Sequence, residues 1–130
     1  PMPTPPPFRG VLYVSTLAAD QPLSTIAAIA AHARHRNPQR GITGLLVFDG
    51  LRFGQQLEGP EDEVRALMQC IQGDPRHTTV EVLHDAPLAE RLFPGFSLAY
   101  STQEDALRRL QGLRGLAALA AFGALLLDPE

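Results

Sequence analysis

Residues 41–60 read GITGLLVFDGLRFGQQLEGP, two runs of strand-forming residues around one turn. The turn signal is the dipeptide Asp49-Gly50, which is the strongest short-range indication of a β-hairpin when apolar runs flank it. An earlier strand is predicted at residues 10–16, GVLYVST, because β-branched and aromatic residues dominate that run. The hairpin therefore forms the middle of a larger sheet, and the segments on either side of it decide how that sheet is covered.

Two predicted helices flank the hairpin. The first runs from Asp20, as its N-cap, to about Arg36, with apolar residues at helical spacing. The second lies in PEDEVRALMQCIQGD, residues 60–74, which has acids in its first turn and Gly73 as its stop. The remaining predicted elements are a fourth strand at residues 78–87, a short fifth strand at residues 96–101, and two helical pieces from about residue 103 that are separated at residues 112–115.

This order of elements, β-α-β-β-α-β-β, predicts an α+β fold of the ferredoxin-like sandwich type. The first and third strands are expected to be central neighbours, with two helices over one sheet face and the C-terminal helices over the other. We expect three segments: a flexible Pro-rich leader at residues 1–7, a core domain at residues 8–100 and a C-terminal helical extension at residues 101–130.

The composition is that of one soluble domain. The chain has 130 residues, of which 45% are hydrophobic, and its formal net charge of −3 argues against a nucleic-acid partner. The single cysteine, Cys70, cannot form an internal disulfide, which fits a reducing cytosol. The apolar run at residues 116–127 is too short to span a bilayer. We therefore expect a cytoplasmic protein with no membrane partner.

Three polar side chains occupy positions that the pattern assigns to the core. Strand alternation puts Gln55 on the apolar face of the third strand and leaves Gln56 facing solvent or a polar seam. Tyr13, on the first strand, becomes a cross-strand neighbour of Gln55 if the first and third strands pair. Asn37 returns to the apolar stripe where the first helix ends.

Each of these polar groups alone could be satisfied by the backbone. Together in one groove they favour a ligand, because an unsatisfied buried polar group costs about 1–3 kcal/mol. A flat heterocycle rimmed by carbonyls and ring nitrogens would satisfy an amide from each side. Arg34 and the turn DPRH, residues 74–77, are placed to receive a phosphate at the mouth of such a groove.

Four motifs in this chain carry a family resemblance. The series YVS, RHRNPQRGITG, FGQQLEG and DPRH resembles the BLUF domain, a blue-light sensor that uses flavin, over roughly residues 8–100. Family members have a Tyr in the first strand, an Asn shortly before G-I-T-G, then F-x-Q-x-L-E-G and D-x-R-H. All four occur here in that order and with normal spacing. The resemblance implies a photoreceptor with noncovalently bound FAD, with FMN or riboflavin as possible substitutes.

The resemblance also implies roles for individual residues. Tyr13 and Gln55 would form the light switch, in which light drives electron and proton transfer from the Tyr while the Gln side chain rotates or tautomerises. The residues that would contact the flavin are Asn37 at the ring edge, Ile29, Phe53 and Leu57 on the ring, Arg34 near the ribityl phosphate, and Asp74, Arg76 and His77 at the far rim. No covalent adduct is expected.

The fifth strand departs from the family pattern. Phe96 and Leu98 stand where relatives usually carry Trp and then Met, and the chain has no Trp. In the family this strand passes the signal to the C-terminal helices, so the alternative function is a light-insensitive flavin-binding or interaction module of the same fold. Arg36 stands where many relatives have a second polar neighbour of the ring, often Asn or His.

We expect a stand-alone photoreceptor without an attached catalytic domain, which is not an enzyme and signals to an unknown downstream protein or through a homo-oligomer. A small hydrolase of acylphosphatase type on a similar fold would need an Arg in the loop after the first strand, and TLAADQP supplies none. Cys70 is expected to be an ordinary packing residue, and the side chains of His32, His35 and His84 are expected at the surface. The apolar C-terminal tail is expected to cover the open sheet face or to make a dimer contact.

Overall fold

The structure is a computed structural model that describes residues 7–101 and 105–127. Residues 1–6 of the expected leader, and the expected start of the first C-terminal helical piece near residue 103, lie outside the described residues. The strands are β1 (Phe8–Leu17), β2 (Thr43–Phe48), β3 (Arg52–Pro60), β4 (His77–Leu88) and β5 (Phe96–Tyr100). The helices are α1 (Ser24–Arg36), α2 (Glu61–Gln72), α3 (Ala106–Leu110) and α4 (Gly115–Leu127), and a 3₁₀ turn follows α1 at Asn37–Arg40.

The five strands form one mixed sheet in the order β4-β1-β3-β2-β5. β1 and β3 are central neighbours and run antiparallel, and β5 joins the far edge parallel to β2. The hairpin turn closes on Asp49, whose Oδ1 accepts the backbone N–H groups of Leu51 and Arg52. The ferredoxin-like α+β prediction is confirmed.

Helix α1 begins later than the sequence predicts. Its first residue is Ser24, its N-cap is Leu23, and no side chain caps it. Asp20 is exposed and lies in the turn that precedes the helix, where Gln21 N–H donates to the Ala18 carbonyl. The prediction of Asp20 as N-cap is therefore wrong, because this turn separates Asp20 from the helix.

Helices cover both faces of the sheet. On one face, α1 and α2 bury residues such as Ile26, Val64 and Leu67 against the strands. On the other, α3 and α4 pack over β1 and β2 through residues that include Leu107 and Phe122. None of the helices within the described ranges is long and apolar enough to cross a membrane.

The contact of α3 with the sheet is close because β3 has a glycine there. A Cβ atom built on Gly54 would lie 2.7 Å from Cδ2 of Leu107. Leu107 N–H also donates to Oδ2 of Asp49 in the hairpin turn, over 3.4 Å. The predicted covering of the second sheet face by the C-terminal helices is confirmed.

Candidate functional site

A cleft opens between α1 and α2 above the middle of the sheet. It is partly open to solvent, and its lining combines apolar side chains with a few polar ones, as small-molecule sites do. Its floor comes from the central strands and its walls from the two helices. The residues that line it are Tyr13, Ile29, His32, Ala33, Arg36, Asn37, Leu46, Phe53, Gln55, Leu67, Cys70, Ile71, Asp74, Arg76 and His77.

Tyr13 and Gln55 form a buried hydrogen-bonded pair on the floor. They stand directly opposite each other in the β1–β3 ladder, and the Tyr13 hydroxyl donates to Oε1 of Gln55 over 2.5 Å. Burial raises the pKa of the Tyr13 phenol, and the negative charge of Asp74 raises it further. The phenol is therefore a neutral donor at physiological pH. Nε2 of Gln55 has no partner among the described residues, so this donor is available to a ligand in the cleft.

Asn37 lies at the end of α1 with its whole side chain buried. Its backbone N–H donates to the Ala33 carbonyl and its carbonyl accepts from Ile42. By contrast, within the described ranges neither Nδ2 nor Oδ1 of its amide has a hydrogen-bond partner. Buried polar groups are nearly always paired, so this amide is suited to bind a ligand that offers both an acceptor and a donor.

The rim of the cleft that follows α2 is a short charged turn, residues 74–77. Arg76 donates to both carboxylate oxygens of Asp74, over 2.6 Å from Nη2 to Oδ2. The hydrogen bond from Arg76 holds the pKa of Asp74 below its ordinary value, and the same bond raises the pKa of Arg76. The two charges therefore neutralise each other.

His77 closes the cleft beside this turn as a neutral imidazole. Its Nε2 lies 2.9 Å from the Ile71 carbonyl, which can only accept, so Nε2 carries the proton. Nδ1 then accepts from the Ser15 hydroxyl at 2.8 Å. Burial lowers the pKa of His77, an effect that the charge of Asp74 partly opposes. The ring also packs edge-on against Tyr13 and Phe53.

The structure brings most of the residues predicted for the site to one cleft, but two of them lie elsewhere. Arg34 is exposed and does not line the cleft, because it is five residues after Ile29 and so points well away from the cleft-facing stripe of α1. Leu57 is fully buried under α2 with Val11 and Val64. Neither side chain is placed to contact a molecule in the cleft.

Seven lining residues were not predicted, and helical spacing could have found most of them. In α1, His32, Ala33 and Arg36 follow Ile29 at i+3, i+4 and i+7, and in α2, Cys70 and Ile71 follow Leu67 at i+3 and i+4. The seventh, Leu46, stands opposite Gln55 on β2. The prediction of Cys70 as a packing residue is wrong: its side chain is exposed in the cleft wall.

The other histidines match the sequence prediction of surface positions in part. His32 and His35 are exposed, whereas His84 is half-buried, and its Nδ1 has no partner in the described part of the chain. Phe96 and Leu98 are half-buried and pack on the same apolar cluster as Leu46.

Gln56 takes the face opposite the cleft, yet it is fully buried. Its Nε2 lies 3.4 Å from Oε2 of Glu58, which is also fully buried. Oε1 of Glu58 accepts the backbone N–H groups of Leu92 and Phe93, over 2.8 and 3.0 Å. The polar seam that strand alternation allows for Gln56 is therefore inside the protein, where it ties β3 to the loop before β5.

Comparisons with known proteins agree on one family. The sequence profile described as "BLUF: Sensors of blue-light using FAD" matches residues 9–99. The photoactivated adenylate cyclase subunit beta of Euglena gracilis is 41% identical over 93 residues, which cover 71% of this chain and 11% of that protein. The blue light- and temperature-regulated antirepressor BluF of Escherichia coli is 40% identical over 82 residues, covering 62% of this chain and 20% of that protein. The chain thus spans at most a fifth of the length of these two relatives.

Comparison with solved structures also identifies BLUF proteins as similar to this chain. The dark-state structure of BlrB, described as a BLUF protein, superposes with a TM-score of 0.80 and 28% identity, covering 93% of this chain and 96% of that one. BlrP1 of Klebsiella pneumoniae, solved with FMN and cyclic diGMP, superposes with a TM-score of 0.66 and 36% identity over 72% of this chain and 25% of that one.

Proposed function

The chain belongs to the BLUF family, the sensors of blue light that use FAD, and we propose that it is a blue-light photoreceptor that binds a flavin noncovalently in the cleft between α1 and α2. The observation that carries the proposal is the buried Tyr13–Gln55 hydrogen bond in a cleft whose wall holds an unpaired Asn37 amide. We propose FAD as the flavin, on the family description, although a relative has been solved with FMN.

The polar and apolar side chains of the cleft suit a flavin. Nδ2 and Oδ1 of Asn37 are matched to an edge that carries a carbonyl next to a ring N–H. Ile29 and Phe53 provide apolar contact for the faces of the ring system. Asp74, Arg76 and His77 close the rim next to α2 and exclude water from the Tyr13 side. Arg34 and Leu57 have no part in this proposed site.

The switch would operate through the Tyr13–Gln55 pair. A bound flavin supplies blue-light absorption and an electron acceptor. Tyr13 would be the electron donor, and its hydroxyl proton would leave with the electron along the 2.5 Å hydrogen bond to Gln55, both returning to the phenol when the original redox state is restored. A flip of the Gln55 amide exchanges Oε1 for Nε2, and the pair then has a second hydrogen-bonding pattern. Two such patterns of similar energy make a bistable element.

The register of the sheet supports a route from this pair to the edge strand. Tyr13, Gln55, Leu46 and Leu98 are successive partners across β1, β3, β2 and β5. We propose that a change at Gln55 reaches Leu98 through Leu46, since these side chains share one face of the sheet. Phe96 and Leu98 in place of the usual Trp and Met support the alternative, a light-insensitive module whose cleft binds flavin without normal output.

Output to a second copy of the chain is part of the proposal. The sequence of α4, residues 115–127, contains no charged residue, and its outward side exposes Leu116 to 75%. A helix that is apolar all round is normally covered on more than one side. Gel filtration with light scattering, in darkness and under blue light, would show whether the chain self-associates and whether light changes its state.

The direct test of the proposed function is the colour of the purified chain after incubation with excess FAD. We expect a yellow protein that releases unmodified flavin on denaturation and whose absorption band shifts reversibly to the red under blue light. A chain that stays colourless would rule out the proposal. A yellow chain with no light-induced shift would favour the light-insensitive alternative.

A further inference from the structure

Strand β4 places His77 and Glu81 on opposite faces of the sheet, although the two residues are four positions apart. His77 lines the cleft, whereas Glu81 lies on the other face, where its carboxylate oxygens accept from Gln111 and Arg114. Side chains of a regular strand alternate, so residues four positions apart share a face. The alternation of β4 is therefore interrupted between His77 and Glu81.

The interruption is a β-bulge at Thr79. Along β1, Val14 and Thr16 are two positions apart. Their partners on β4, Glu81 and Thr78, are three positions apart, so one residue of β4 is extra. Thr79 lies in this interval with a φ of 51°, in the left-handed region. A β-branched residue is rarely found there, because its side chain crowds its own backbone. The fold thus holds Thr79 in a conformation that the residue itself disfavours.

The contacts of His77 depend on this bulge. In the cleft its ring nitrogens lie 2.8 Å from the Ser15 hydroxyl and 2.9 Å from the Ile71 carbonyl, and its ring packs edge-on against Tyr13. A continuous strand would turn the His77 side chain to the other face of the sheet and bring Thr78 to the cleft instead. The cleft would then lose the imidazole that closes it beside Tyr13.

We propose that the left-handed conformation of Thr79 positions His77, because it takes up the extra residue of β4 and so turns the imidazole into the cleft. Thr79 is exposed and does not line the cleft, so it acts through His77. The importance of His77 for a ligand rests on the proposed function, whereas the conformation of Thr79 does not. The competing role is purely structural: β4 is an edge strand, and bulges also keep edges from pairing with other chains.

Glycine and alanine substitutions test the conformation of Thr79 without flavin. At a positive φ glycine is favoured over alanine, because glycine has no Cβ. In a regular strand the order is reversed, because glycine loses more conformational freedom on folding. We expect Thr79→Gly to melt about 3–6 °C above Thr79→Ala. The neighbouring exposed residue is the matched control, and Thr78→Gly should melt below Thr78→Ala. An alanine variant that is the more stable one at both positions would overturn the proposal.

Two further changes to β4 test the position of His77. Proline fixes φ near about −65°, so the strand of Thr79→Pro either straightens or loses its pairing, and His77 leaves the cleft in both cases. Deletion of Thr79 removes the extra residue, makes the pairing with β1 continuous and should keep His77 in place. The measurement is the NMR titration of His77 in the flavin-free chain, where its burial and the charges of Asp74 and Arg76 act on it. We expect a lowered pKa of His77 in the wild type and in the deletion, and an ordinary pKa in Thr79→Pro.

Flavin affinity shows whether Thr79 acts through His77. FAD is titrated into the wild type, Thr79→Pro, His77→Ala and the double variant. We expect each single variant to weaken binding by about tenfold. The double variant should bind no more weakly than His77→Ala, because an imidazole that is absent cannot also be displaced. Losses that multiply in the double variant would leave Thr79 with the purely structural role and overturn the proposal.

The titration has its own contradicting results. A lowered pKa of His77 in Thr79→Pro would overturn the proposal, and so would an ordinary pKa in the deletion. If Thr79→Pro does not fold, the melting temperatures at positions 78 and 79 and the titration of the deletion still decide the question. A wild-type chain that binds no FAD would overturn the proposed function, but both flavin-free measurements would still test how His77 is positioned.

Discussion

Adjacent glutamines on β3 serve opposite faces of one sheet. Gln55 points into the cleft and accepts from Tyr13, while Gln56 is buried on the far face beside Glu58. Gln55 is 5% exposed and Gln56 is 0% exposed, so burial alone does not distinguish the proposed switch residue from its neighbour. The difference is the neighbour: a phenol and an open cleft for Gln55, a carboxylate in a closed interior for Gln56.

Leucine substitutions should separate the two glutamines. We expect Gln55→Leu to keep the fold and the flavin but to lose the light-induced red shift, because no amide then bridges Tyr13 and the cofactor. Gln56→Leu should keep the red shift, since its side chain never reaches the cleft. Light-minus-dark absorption spectra of the two variants are the measurement. Normal spectra in both would show that the switch does not use the amide of Gln55.

His77 makes the stability of the flavin-free chain depend on pH. Burial holds the pKa of its folded-state imidazole below the ordinary value of 6.5. Between that lowered pKa and pH 6.5 the unfolded chain binds more protons than the folded one, so the free energy of unfolding decreases as the pH falls through this window. Below the folded-state pKa this contribution decreases no further.

Urea unfolding between pH 7.5 and pH 5 measures this effect. His77→Gln removes the group that titrates inside the protein and should flatten the pH dependence. His35→Gln, at an exposed position outside the cleft, is the matched control and should keep it. Equal slopes for wild type and His77→Gln would mean that other groups carry the pH dependence.

At the scale of elements, the loop before β5 is attached to β3 by one buried carboxylate. Glu58 accepts two backbone N–H groups of this loop, from Leu92 and Phe93, and the Arg91 guanidinium donates to the Glu58 carbonyl over 3.1 Å. Because β5 follows directly, Glu58 fixes where the edge strand begins.

Replacing Glu58 with Leu keeps much of the side-chain volume but leaves the two backbone N–H groups of Leu92 and Phe93 without their acceptor. We expect the free energy of unfolding to fall by about 2–4 kcal/mol, as measured by urea denaturation. Glu58→Gln is the control: its carbonyl keeps the two N–H groups, and its amide nitrogen can donate to Oε1 of Gln56, which has no partner among the described residues. Equal stability of the two variants would contradict the role of Glu58 as an acceptor.

Elements with strong periodicity were predictable from sequence. The sheet face to which each strand side chain points was also predictable. The Asp49-Gly50 hairpin, the pairing of β1 with β3 and the burial of Gln55 all follow from local chemistry and the period of two. The start of α1 was not predictable in this way, because the turn after β1 includes Asp20 and the helix begins without a side-chain cap. Arg34 was expected at the site from the resemblance, but the helical phase relative to Ile29 puts Arg36, and not Arg34, on the cleft side of α1.

The buried state of Gln56 and Glu58 could not be read from the strand that carries them. Their face is covered by α3, α4 and the loop before β5, which are distant in sequence. A polar pair on the outer face of a hairpin normally indicates solvent. Only the packing of later segments turns it into an internal anchor.

At the scale of the whole molecule, the two faces of the sheet carry different kinds of side chains. The face under α1 and α2 holds the cleft, the Tyr13–Gln55 pair and the unpaired Asn37 amide. The face under α3 and α4 holds a closed apolar cluster and the Glu58 anchor. Light sensing on the first face and output through the second would require β3 and β5 to connect them, since their residues contribute to both faces.

The central claim is that Tyr13 is the donor that operates the switch. The most direct measurement is the light-minus-dark absorption spectrum of Tyr13→Phe, reconstituted with FAD, beside that of the wild type. The substitution keeps the packing of the ring and removes only the hydroxyl that donates to Gln55, so the protein should remain folded and yellow. We predict a reversible red shift in the wild type and none in Tyr13→Phe, because phenylalanine is a much poorer electron donor and has no proton to give. A Tyr13→Phe chain that still shows the reversible red shift would contradict the account, since the switch would then operate without the Tyr13–Gln55 hydrogen bond.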